Sequence, residues 1–114
     1  MADARADDHL GKLARALAFP DGVDNLSEAE VTRGLTEISP ARRVTRESPP
    51  FLFIHGDSDP DVPLQQSERM VSALKQMGVS AELIVKHGGG HPWPTIHEEV
   101  AVLANWFDQQ LAAK

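Results

Sequence analysis

Cysteine is absent from the 114-residue chain. That absence excludes disulfides, cysteine-ligated zinc and a thiol nucleophile together, and it leaves the redox compartment open. No apolar run approaches the roughly 18 residues that a membrane span needs, so no span is expected. Basic residues are also few: 11 Lys and Arg stand against 17 Asp and Glu, for a net charge of −6. A nucleic-acid face needs clustered cations. The one cluster, Arg42, Arg43 and Arg46, reads as solvated arginines in a loop, so no nucleic-acid partner is expected. The opening stretch, MADARADDH, is acidic and lacks an apolar core, which is not how a signal peptide reads. The compartment stays open, cytoplasmic or secreted, for a soluble chain. What is present is ordinary for a globular domain: 41% hydrophobic and 25% charged, too apolar for disorder.

Residues 1–48 read as helical and irregular. Leu10, Leu13, Ala14 and Leu17 recur at helical spacing after Asp7 and Asp8, either of which suits a cap. Phe19-Pro20-Asp21-Gly22 breaks that helix. Ser27 and Glu30 then form an S-x-x-E capping box, with Leu26 and Val31 as its staple and Ser39-Pro40 as the stop. From residue 49 the pattern changes. Phe51-Leu52-Phe53-Ile54 is a continuous apolar run, as in a strand buried on both faces. A helix over 65–77 follows, with Met70, Ala73, Leu74 and Met77 on one face and Gly78 as its left-handed stop. Glu82-Leu83-Ile84-Val85 is a second strand. The last helix opens on a second capping box, Thr95 and Glu98, and should bury Ile96, Val100, Leu103, Phe107 and Leu111. Strand, helix, strand, helix at this spacing is a parallel βαβα unit. Two parallel strands do not stand alone, so the unit reads as the end of a larger sheet.

The chemistry collects in two loops. His55-Gly56-Asp57-Ser58-Asp59-Pro60-Asp61-Val62-Pro63 follows the first strand; His87-Gly88-Gly89-Gly90-His91 follows the second. Catalytic groups of open α/β sheets gather past the carboxyl ends of the strands. Adjacent parallel strands bring the two loops together, so the Asp59 carboxylate can reach the His91 imidazole. In a hydrolase such a carboxylate fixes the ring tautomer, and the other ring nitrogen deprotonates a serine. Asp59 is otherwise a turn aspartate and His91 a surface histidine. His87 reads as a surface residue, His55 as packing at the strand end, and Asp57 and Asp61 as loop-structuring side chains. Trp93 is a plug over the site or a core residue. Asp57, Asp59, Asp61 and Glu68 match four positions of a calcium loop, but Val62 stands where that loop requires glycine. His87 and His91 lack the third ligand and shared helical face of a zinc site. No metal or cofactor is expected.

The run PPFLFIHGDSDPDVPLQQSERMVSALKQMGV, then GGGH, then a terminal amphipathic helix, resembles the end of α/β-hydrolase serine esterases and lipases. The resemblance is to the carbohydrate-esterase and acetyl-xylan-esterase branch, and dienelactone hydrolases and prolyl oligopeptidases end similarly. It covers residues 49–112 strongly, takes in ISPARRV ahead of the strand, and is loose over 1–37. In the family pattern H-G-x-x-D-x-x-V-P the acid falls at Asp59, and the histidine after the glycines is His91. The chain order, serine, then acid, then histidine, is that of the fold. The resemblance also implies a G-x-S-x-G elbow and an oxyanion loop of HGG type, and neither is found in its place ahead of the acid. None of Ser27, Ser39, Ser48, Ser58, Ser67, Ser72 and Ser80 lies in such an elbow.

The expected fold is therefore α/β: a C-terminal βαβα fragment of a doubly wound parallel sheet, residues 49–114, preceded by a cap-like or connecting helical segment, residues 1–48. The expected function is the acid and base half of a Ser-His-Asp carboxylic-ester hydrolase, inactive alone, its complete form acting on a small-molecule ester. The alternative is a non-enzymatic α/β module that self-associates through exposed strand edges. Either way the expected partner is a second copy or the N-terminal portion that carries the elbow. Peptidase, lipase, lactonase and sugar-ester deacetylase all stay open as substrate classes.

Overall fold

The computed structural model describes residues 9–113, which fall into two units, Met1–Thr45 and Arg46–Lys114. The expected caps Asp7 and Asp8 lie outside the described residues. In the first unit, α1 spans His9–Ala18 and α2 spans Glu28–Glu37. On α1, Ala14 is fully buried, whereas Leu13 and Leu17 are exposed. The Ser27 hydroxyl accepts from the Glu30 N–H at 3.1 Å, and the Glu30 carboxylate accepts from the Ser27 N–H at 2.7 Å. Two of the orphan donors at the helix start are thus satisfied reciprocally. The Ser27 backbone N–H, then its hydroxyl, hold the Glu30 carboxyl below its ordinary range. At the other end, Arg43 is more than a solvated loop cation. Its Nε and Nη2 donate to the Glu37 carbonyl at 2.9 and 2.6 Å, supplying donors to a carbonyl that the helix leaves open.

The second unit runs β1 (Phe51–Gly56), α3 (Leu64–Gln76), β2 (Ala81–Lys86), a 3-10 turn (Ile96–Glu99) and α4 (Val100–Ala112). β1 and β2 pair in parallel, in register from Phe51 with Ala81 to Gly56 with Lys86. α3 packs on this ribbon. Its buried residues are Val71 and Leu74, not the expected set through Met77. The helix stops at Gln76, so Met77 lies past the last turn and is exposed. Gly78, at φ +77°, donates to the Lys75 carbonyl, and Val79 to the Leu74 carbonyl, each at 3.0 Å. That pair of bonds is the Schellman ending that Gly78 permits. Leu74, with Val71, Val79 and Ala81 around it, forms the core. Its full burial is worth roughly 1.5–3 kcal/mol.

Phe51 to Ile54 are half-buried, as an apolar strand must be when the described sheet has only two strands. Two expectations fail at the last helix. The Thr95–Glu98 capping box does not form. Thr95 makes no side-chain cap, and the Glu98 N–H donates to the Thr95 carbonyl at 2.9 Å, which winds a 3-10 turn. α4 then starts at Val100 and leaves Ile96, Val100, Leu103, Phe107 and Leu111 exposed. An apolar stripe is buried only when a facing surface exists, and a two-stranded ribbon with one packed helix offers too little. The 3-10 turn is tied to the sheet by the Lys86 ammonium, 2.9 Å from the Glu99 carboxylate. No helix among the described residues is long and apolar enough to cross a membrane.

Candidate active site

The parallel register ends at Gly56 and Lys86, so the loops that follow leave the sheet side by side. Backbone bonds then continue the pairing beyond the strands. Asp57 N–H donates to the Lys86 carbonyl at 3.1 Å, and Ser58 N–H to the Gly89 carbonyl at 2.9 Å. Gly56 makes this approach possible. A Cβ there would stand 2.2 Å from the Gly89 carbonyl oxygen, a clash between two backbones that neither could relieve.

This clamp sets Asp59 against His91. Asp59 Oδ2 lies 2.7 Å from His91 Nδ1. Asp59 Oδ1 accepts from the Asp61 and Val62 N–H groups, each at 2.8 Å. The Asp59 side chain is 5% exposed and that of His91 is 53% exposed. Burial on its own pushes the Asp59 carboxyl upward. The Val62 N–H, the His91 ring and the Asp61 N–H together outweigh burial, and the carboxyl titrates below its ordinary value. For His91 the bond to Asp59, then the charge of Asp59, raises the imidazole above its ordinary value, with the charge of Asp61 adding to them. An ionised carboxylate only accepts, so His91 Nδ1 carries the hydrogen and Nε2 is left to take a proton. This is the arrangement a general base needs.

The other loop residues sort themselves around this pair. Asp57 faces His87, at 3.0 Å, and accepts from the Gly88 N–H at 2.7 Å. The Gly88 N–H, then the His87 ring, hold the Asp57 carboxyl below its ordinary value. Two carboxylates of the calcium pattern thus part company, Asp57 to His87 and Asp59 to His91. His87-Gly88-Gly89-Gly90 spells the letters of an HGG oxyanion loop, yet it follows β2, and two of its amides are in use. Gly88 N–H is bound by Asp57, and Gly89 N–H donates to the Lys86 carbonyl at 3.0 Å.

A cavity of about 430 Å³ opens beside the pair, lined by His55, Asp59, Ser67, His91 and Trp93 among others. Trp93 is both readings at once: it lines the cavity and is buried. Its indole N–H meets no acceptor among the described residues. His55 is buried, with Nε2 2.8 Å from the Val62 carbonyl and Nδ1 2.6 Å from Ser67 Oγ. Ser67 is thus the serine at an imidazole, but that imidazole is His55, not His91. Sequence reasoning did not bring His55 and Ser67 together; their separation of 12 residues spans a loop and a helix turn, which no periodicity relates.

Comparison with known proteins places the chain in a family. The prolyl oligopeptidase family matches residues 7–114. An uncharacterized peptidase of Bacillus subtilis, YuxL, is 33% identical over 89 residues, 72% of this chain and 13% of that protein. The esterase LipC of Mycobacterium tuberculosis is 39% identical over 56 residues, 48% of this chain and 14% of its own length. A solved structure, a truncated form of a carbohydrate esterase from gut microbiota, superposes with a TM-score of 0.62 at 32% identity. It covers 68% of this chain and 27% of that one. The chain therefore spans a small part of the relatives it matches. The parallel strands, the solved structure that superposes on them and a family match over nearly the whole length agree: this chain belongs to the prolyl oligopeptidase family of α/β-hydrolase-fold serine hydrolases.

Proposed function

We propose that the chain supplies the acid and the base of a Ser-His-Asp carboxylic-ester hydrolase, with Asp59 orienting His91 and His91 Nε2 accepting the serine proton. The observation that carries this reading is the 2.7 Å contact between Asp59 Oδ2 and His91 Nδ1, made by a carboxylate whose other oxygen is held by two backbone N–H groups. The nucleophile elbow and oxyanion donors come from residues outside these 114, and the chain alone is inactive. The chemistry needs no cofactor. The relatives' names, a peptidase and two esterases, support hydrolytic acyl transfer, and the ester reading follows the two esterases.

A chimera tests the reading: this chain's matching segment replaces that of the esterase LipC, whose remaining length, all but 14% of it, would have to supply the nucleophile. The chain alone should hydrolyse p-nitrophenyl acetate no faster than a heat-denatured sample and should not label with a fluorophosphonate. The chimera should do both. Asp59→Asn in the chimera should cost roughly four orders of magnitude in kcat, and His91→Ala at least as much. Labelling of the chimera that survives His91→Ala unchanged would overturn the assignment, as would a labelled serine in the chain alone.

The same reading gives the chain a partner. β1 has one neighbour among the described residues, and α4 leaves Val100, Phe107 and Leu111 more than half exposed. An unpaired edge and an apolar stripe together favour association. A second copy, paired across the free edge of β1 as a two-fold dimer, is the form expected for the isolated chain. Sedimentation equilibrium at micromolar concentration reads it: a cooperatively folded monomer of 12.4 kDa would defeat it.

A further inference from the structure

We propose that His55 is the positioning residue of the acid: it holds the Val62 carbonyl from one ring nitrogen and Ser67 from the other, and so fixes the Asp59 carboxylate in the orientation that grips His91. The proposal rests on the acid–base reading above and adds to it a buried relay that begins on α3.

The protons decide the direction of each bond. The Val62 carbonyl can only accept, so His55 Nε2 carries the hydrogen of the 2.8 Å contact. In the neutral ring Nδ1 is then bare and accepts from the Ser67 hydroxyl at 2.6 Å. Val62 is gripped at both its backbone groups: its carbonyl by His55, while its N–H donates to Asp59 Oδ1 at 2.8 Å. The position of Oδ1 therefore follows Val62, Val62 follows His55, and His55 follows Ser67 on the second turn of α3. The ring also stands beside the oxygen that matters. His55 Nε2 is 3.6 Å from Asp59 Oδ2, the atom that His91 holds at 2.7 Å. While Val62 occupies Nε2–H, that distance is too long for a hydrogen bond. An Nε2–H released from Val62 would have Oδ2 close by and would compete with His91 for it. Ser67 and His55 are not a second catalytic dyad. The nitrogen of His55 that faces away from Ser67 donates to a carbonyl, where a triad base requires a carboxylate.

Nuclear magnetic resonance on the full chain tests the relay through the ring nitrogens and the titration of His91. In the unmodified chain the His55 ring should carry its proton on Nε2, and a His55 protonated on Nδ1 alone would overturn the proposal without any variant. The groups that act on His91 are Asp59 and Asp61; Asp59→Asn removes the first and serves as reference. Two half-replacements then separate the ends of the ring. His55→Gln keeps an amide nitrogen near Nε2, within reach of Val62, and should leave His91 titrating near its unmodified value. His55→Asn reaches only the Ser67 side, and His91 should lose more than half of the difference that Asp59→Asn removes. Ser67→Ala should fall between them. A folded His55→Asn chain with unchanged His91 titration would overturn the proposal. Should that variant not fold, Ser67→Ala decides: unchanged titration with an unchanged His55 tautomer overturns the relay. If Asp59→Asn itself leaves His91 unmoved, the acid–base reading fails rather than the relay.

Discussion

Two aspartates of one loop each hold a histidine of the opposite loop, and the contacts are alike: 2.7 Å for Asp59 with His91 and 3.0 Å for Asp57 with His87. Their surroundings are not. Asp59 is 5% exposed and Asp57 is 32% exposed. The second oxygen of Asp59 is filled by two backbone N–H groups of its own loop, whereas that of Asp57 takes one N–H from across the loops and a long bond, 3.5 Å, from the Ser58 hydroxyl. His91 lines the cavity, and His87 is 89% exposed. An Asp–His contact is thus not by itself a catalytic pair. Enclosure of the carboxylate and a cavity at the imidazole make one pair fit for acid–base work. In the other pair Asp57 also binds the Gly88 N–H, which ties the histidine loop down.

The largest effect that separates them is turnover. In the LipC chimera Asp59→Asn should remove roughly four orders of magnitude of kcat, while Asp57→Asn should leave most of it. Comparable losses at the two positions would break the distinction, and would make the histidine loop's geometry, rather than the buried acid, the limiting feature.

Stability against pH sharpens the contrast less strongly. The folded Asp59 and Asp57 carboxyls are both lowered. Each therefore contributes stability that is present above the unfolded carboxyl value, about 3.9, and lost as pH falls through the folded one. His91 is raised. Its contribution is complete below the unfolded imidazole value, about 6.5, and is lost as pH rises through the folded one. Asp59→Asn should therefore flatten both the acid limb and the limb just above pH 6.5, whereas Asp57→Asn should flatten only the acid limb. Urea midpoints from pH 3 to 9 read the difference, and an alkaline limb untouched by Asp59→Asn would contradict it.

The meeting of Asp59 and His91 was legible because the parallel strands carry their two loops to one sheet edge. α3 was legible from its periodicity, but only to within one position of its face: Val71 is buried where Met70 was expected, and Met77 lies past the Schellman ending that closes the helix at Gln76. The capping box at Ser27 formed and the one at Thr95 did not. Both have the same spacing, but Thr95 follows the Trp93-Pro94 turn and enters a 3-10 turn, where no side-chain cap is made. α4's stripe was read correctly as apolar and wrongly as buried, because periodicity marks the face and says nothing of what meets it. The His55 relay was illegible for a simpler reason. It joins a strand end, a loop carbonyl and a helix hydroxyl, and only the folded backbone brings those together.

The smallest effect expected lies within the exposed pair itself, between its two members. If Asp57 fastens the histidine loop, the bond that does so is the one to the Gly88 N–H at 2.7 Å, not the contact with His87. A carboxylate accepting from a backbone amide holds the chain directly. The His87 ring, almost fully exposed, adds a contact that solvent and salt weaken. Gly88, at φ +75°, turns the loop at this point, and the Gly89 N–H to the Lys86 carbonyl closes it. Asp57→Ala should therefore speed hydrogen exchange at the Gly88 amide and leave Gly89 protected. His87→Ala should change neither, and roughly 1 M salt, which shortens the screening length to about 3 Å, should not alter that result. If His87→Ala released Gly88 as fully as Asp57→Ala does, the histidine would be the fastening element. The exposed pair would then depend on its imidazole as the buried one does, and the distinction between them would rest on enclosure alone.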